Sequence, residues 1–114
     1  MRNIYENAPS NHYIKTFSQA QIDEQCKYLW GITKDLLHKK EDNYPLLDNR
    51  IQSVINIISG HNQLFNYSPK VITICSLLEK ARSNDNQFRK CIMDSLGLID
   101  ELRADMLEGG DVCV

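Results

Sequence analysis

The chain has 114 residues, 42% of them hydrophobic and 25% charged, and a formal net charge of −2. Those values are globular averages, which argue against global disorder, and the length suits one domain with one core. The near-neutral balance leaves no electrostatic footprint for nucleic acid, and no stretch approaches the roughly eighteen consecutive apolar residues of a membrane span.

Residues 1–17 carry Pro9, several Asn and scattered aromatics without a helical period. They read as an irregular arm that packs through Ile4, Tyr5, Tyr13, Ile14 and Phe17. Met1 to Asn7 lack the apolar run of a secretory signal, so a cytoplasmic protein is expected. Ser18 then opens a helix. Ser18 and Gln21 fit a capping box, in which each side chain satisfies the other's free backbone N–H, and Phe17 can staple onto Ile22. Ile22, Cys26, Leu29, Trp30, Thr33, Leu36 and Leu37 repeat with the spacing of one helical face. Gly31 inside this run costs about 1 kcal/mol relative to Ala, which suggests a close helix crossing. His38, Lys39 and Lys40 put cations at the negative end of the helix dipole.

Glu41 to Pro45 reads as a turn, with Asn43 or Tyr44 near the cap of a second helix and Pro45 in its first turn. Leu47, Ile51, Val54, Ile55 and Ile58 form the stripe, widened by Leu46 and Ile57, and Gly60 is the expected C-terminal cap. In the loop 61–67, Leu64, Phe65 and Tyr67 are expected to fold back onto the bundle. Ser68-Pro69 gives a cap followed by a first-turn proline. Val71, Ile74, Cys75, Leu78 and Ala81 then face inward, with Ile72 and Leu77 on the flanks. After the polar turn Ser83 to Asn86, with Asp85 a cap candidate, the last stripe is Phe88, Cys91, Ile92, Leu96, Ile99, Leu102, Arg103 and Met106. It is expected to stop before Gly109-Gly110, leaving 109–114 as a flexible tail.

Two segments, 54–58 and 71–75, are rich in the β-branched residues that favour strands. Their apolar residues come in adjacent pairs separated by polar ones, whereas a half-buried strand would alternate, so the period favours helix. The predicted fold is all-α: a small four-helix bundle over 18–108, up-down because its connections are short, with the irregular N-terminal arm in front. The surplus apolar positions Leu46, Ile57, Ile72 and Leu77 imply burial under the arm and the 61–67 loop, or a subunit interface.

Candidate chemistry is sparse. Cys26, Cys75, Cys91 and Cys113 include no pair at thiolate-ligand spacing. The first three fall on apolar faces as small hydrophobes, which leaves Cys113 as the one expected to react. His12, His38 and His61 have no second His or Cys one turn away. The carboxylates Asp23, Glu24, Asp48, Asp94, Asp100, Glu101 and Asp105 lack the Glu-x-x-His pattern of di-metal bundles. No metal and no cofactor is expected. Arg50 and His61, residue types paired in some helical-bundle ribonucleases, stand about three turns apart, too far to share one phosphate. A phosphate-cradling glycine loop and an activated nucleophile are both lacking, so no enzyme is predicted. Helices two and three could imitate a helix-turn-helix, but their loop is too long and the second presents Lys70, Thr73 and Ser76 in place of base-reading side chains.

What remains is surface for a protein. Tyr28 and Trp30 are of the type enriched at binding hot spots. Ile92, Ile99 and Met106 recur every seven residues with Leu102 between them, a seam suited to a partner helix; the competing reading is that all of these close the chain's own core. The expectation is a non-catalytic protein-binding module of the inhibitor, adaptor or immunity-protein kind, or a homodimer, by fold-level analogy alone. One alternative is a nucleic-acid-associated regulator in which Lys34, His38, Lys39, Lys40, Arg89 and Lys90 converge. Another is a ligand-binding or enzymatic bundle using His61 and the 61–67 loop, with a pocket lined by Phe65 and Trp30.

Overall fold

In a computed structural model, which describes residues 18–113 and the side chains of 18–108, helix α1 spans Gln19–Glu41 and starts on the predicted capping box. The Ser18 hydroxyl accepts from the Gln21 N–H at 3.1 Å, and the Gln21 side chain accepts from the Ser18 N–H at 2.8 Å. The arm 1–17, with its staple at Phe17, lies outside the described residues. At the other end, Asn43 adopts a left-handed φ of 54°. This lets the Asn43 N–H donate to Lys40 O at 3.1 Å and the Tyr44 N–H to Lys39 O at 2.9 Å, a Schellman motif that satisfies two free carbonyls. Asn43 therefore ends α1 and does not cap α2.

Helix α2 spans Leu47–Gly60, and its N-cap, Leu46, offers no side-chain hydrogen bond. Pro45 sits in the preceding turn, ahead of the first helical turn where it was expected. The helix does end at Gly60 as expected, but Gly60 takes no positive φ and His61 is the cap residue. The chain continues in a further helical turn, with the Phe65 N–H donating to His61 O at 3.3 Å. That turn closes in a second Schellman arrangement, in which the Tyr67 N–H donates to Asn62 O and the Asn66 N–H to Gln63 O, at 2.9 and 3.1 Å. Asn66 takes φ 59° and Tyr67 φ 57°. Asn tolerates that region, whereas a Cβ-bearing aromatic there costs on the order of 1 kcal/mol.

Helix α3, Pro69–Ser83, starts as predicted, with the Ser68 hydroxyl accepting from the Lys70 N–H and Pro69 in the first turn. One 3-10 turn, Asp85–Gln87, leads into α4, Phe88–Cys113. That helix runs through Gly109-Gly110, past the predicted stop. Glycine weakens a helix but ends one only where its φ becomes positive. Among the described residues there is no strand, so the helical period outweighs the β-branched runs.

Ties between side chains fix the topology. Asp23 near the start of α1 meets Arg103 near the end of α4 at 2.6 Å, while Lys40 at the end of α1 meets Asp85 just before α4 at 2.9 Å. Lys70 at the start of α3 pairs with Asp105 late in α4, and Arg82 late in α3 bonds Gln52 early in α2. His61, just past α2, reaches Gln25 near the start of α1 at 2.8 Å. Every neighbouring pair is thus antiparallel, the predicted up-down bundle. Most of these ties are exposed and contribute little stability; their value is that they report register.

The core is what holds the helices. Leu29, Leu36, Ile51, Ile58, Ile74, Leu78, Ile92, Ile99 and Leu102 are almost wholly buried, and Leu64 and Phe65 fold back from the 61–67 turn to join them. Tyr67 does not follow them and stays exposed. Thr33 and Ser95 are also fully buried, each donating its hydroxyl to the carbonyl one turn back, Leu29 O and Cys91 O, at 2.8 Å. Neither leaves an unmet donor in the apolar interior. Of the surplus apolar positions, Ile57 and Leu77 pack against the core, whereas Leu46 and Ile72 remain 54% and 65% exposed.

No close crossing occurs at Gly31: it is exposed, and a Cβ there would meet nothing within 4 Å. The same is true of Gly97 in α4. Gly31→Ala and Gly97→Ala are each expected to raise stability by about 0.8–1 kcal/mol in urea unfolding, because they restrict the unfolded chain at no steric cost.

Candidate functional site

The structure separates the residues that the sequence offered as a partner surface. Ile92, Ile99 and Leu102 are 0%, 1% and 1% exposed. They lie inside the chain's own core, so they form no open seam. Met106 is half-buried against that core. Tyr28 is about half exposed, while Trp30 is half-buried. Two residues apart on a helix, they point about 200° from each other, so they do not share a face. Trp30 looks toward α4, and Tyr28 shares the α2-side edge of α1 with Gln25.

Among the described residues, two grooves stand out on the bundle surface. The first, about 350 Å³, lies between α1 and α4 and is lined by Asp23, Cys26, Lys27, Trp30, Asp100 and Arg103. The Lys34 ammonium sits 5.1 Å from the centre of the Trp30 ring, a cation–π contact that occupies one face of the indole. Two acids and two bases balance along this groove. At its floor, burial pushes the Cys26 thiol up to about 11; Arg103 opposes the shift, and Asp23 and Asp100 reinforce it. A thiol so protonated should resist iodoacetamide at pH 8 in the native protein and react after urea unfolding, as followed by mass spectrometry. The raised thiol also makes stability depend on pH. Because the folded value lies above the ordinary 9.0, this contribution is whole below pH 9 and is lost as pH rises toward 11.

The second groove, about 270 Å³, runs between α2 and α3 and is lined by Ile55, Ser59, Asn62, Val71, Ile72, Cys75, Ser76 and Glu79. Ser59 Oγ and Cys75 Sγ lie 3.4 Å apart across it. Asn62 sits where the 61–65 turn leaves α2. Its side-chain oxygen is buried and has no hydrogen-bond partner among the described residues. Such an orphaned acceptor costs about 1–3 kcal/mol. Beside it, Ile72 exposes two-thirds of its surface to solvent. Sequence reasoning flagged Ile72 as surplus but missed Asn62, which lies in a hydrogen-bonded turn that looked like an open loop.

The remaining candidates fall to structural roles or stand apart. His61 is not free for acid–base work: Nδ1 lies 2.9 Å from Ile57 O, and Nε2 is taken by Gln25. Arg50 is exposed and about 16 Å away along the helix axis. Phe65 is in the core while Trp30 lines the α1–α4 groove, so the two do not share a pocket. The basic residues do gather at one end of the bundle, but carboxylates accompany them. Lys39 pairs with Asp35, Lys40 with Asp85 and Lys90 with Asp94, and the last contact holds the Lys90 ammonium above its ordinary range. Among the described residues, no three His, Cys, Asp or Glu side chains converge as a metal site, and no helix is long and apolar enough to cross a membrane.

Comparison with known protein families, with curated proteins and with solved structures finds no match to this chain.

Proposed function

We propose that this chain is a non-catalytic protein-binding module that docks its partner on the α2–α3 groove. The observation that carries the reading is the conjunction of Ile72, exposed on α3, with the buried Asn62 oxygen in the same groove, which has no partner among the described residues. A bound segment that laid an apolar side chain on Ile72 and aimed an N–H at Asn62 Oδ1 would meet both needs at once. Met93 on α4 is exposed as well, but the buried side-chain oxygen without a partner among the described residues is that of Asn62, in the α2–α3 groove. The carboxylates beside Lys39, Lys40 and Lys90 count against the nucleic-acid alternative, because they already neutralise the charge that phosphates would need.

The test uses the tagged full-length chain and two variants, Ile72→Lys and Met93→Lys. Sedimentation first asks whether the partner is a second copy, in which case a wild-type dimer should dissociate in Ile72→Lys alone. If all three are monomers, they are compared for capture from a lysate of the source cells. The same protein should be retained by the wild type and Met93→Lys, and lost from Ile72→Lys by about 30-fold, as for a central contact worth roughly 2 kcal/mol. Equal retention by all three chains, or retention by none, overturns the proposal.

A further inference from the structure

We draw no further inference here: the strongest candidate, the α1–α4 groove lined by Cys26, Trp30, Asp100 and Arg103, carries balanced charge, and nothing in the structure shows what covers it.

Discussion

Leu78→Ala should lower the free energy of unfolding by about 2–5 kcal/mol in urea, shifting the midpoint and leaving the slope unchanged. Leu78 has no exposed surface and lies on the inward stripe of α3, about two turns after Val71 and one turn before Ala81. Truncation removes buried methyl groups and leaves a cavity that surrounding helices, themselves tied at both ends, fill only in part. A domain of this size has about 5–15 kcal/mol of stability in all, so the loss is a large fraction of it. Ile55→Ala belongs nearer the low end of the same range. Ile55 is 7% exposed and borders the α2–α3 groove, where water can replace part of what is removed. Near-neutral values for both would mean that the inward stripes of α2 and α3 are misassigned.

A still larger contrast is expected within one β-branched run. Ile74→Lys should unfold the domain, while Ile72→Lys should change stability by no more than about 0.5 kcal/mol. Ile74 is 0% exposed and Ile72 is 65% exposed, although only Thr73 separates them. In a helix the two point about 200° apart; in a strand they would lie on the same face. Circular dichroism with thermal melts of the two variants settles which geometry holds. Similar damage from both substitutions would indicate a strand period and would remove Ile72 from the surface. The pair also protects the docking test, since a folded Ile72→Lys chain that fails to bind has lost a contact and not its structure.

The fold was largely legible because its strongest signals are local. The Ser18–Gln21 capping box and the Ser68-Pro69 start depend on residues within four positions of each other, and both occur as read. Signals that depend on a choice of backbone conformation were harder. Pro45 and Gly60 carry the right chemistry for a helix start and stop, yet Asn43 and Asn66 took the left-handed positions, and the chain between α2 and α3 coiled for one more turn. The seven-residue recurrence of Ile92, Ile99 and Met106 suggested a seam for a partner helix, yet Ile92 and Ile99 lie in the chain's own core and Met106 is half-buried against it. Which helix buries it is not written in α4, because the same stripe serves a neighbour in the same chain or a partner equally well. Docking grooves are less legible still. The α2–α3 groove joins Asn62 to Ile72 and Glu79, residues brought together only when α2 and α3 pack.

The up-down closure of the four helices underlies both the core predictions and the placement of Ile72 on an open face. Distances between spin labels test it most directly, in a chain with Cys75 and Cys113 replaced by Ser. Labels go at the exposed positions Glu24, Asn86 and Ala104. Antiparallel α1 and α4, as tied by Asp23–Arg103 and Lys40–Asp85, place 24 beside 104 and put 86 about 27 Å farther away along the helix axis. A short 24–104 distance with a long 24–86 distance is the expected result. The reverse order would make α1 and α4 parallel and contradict the bundle described above.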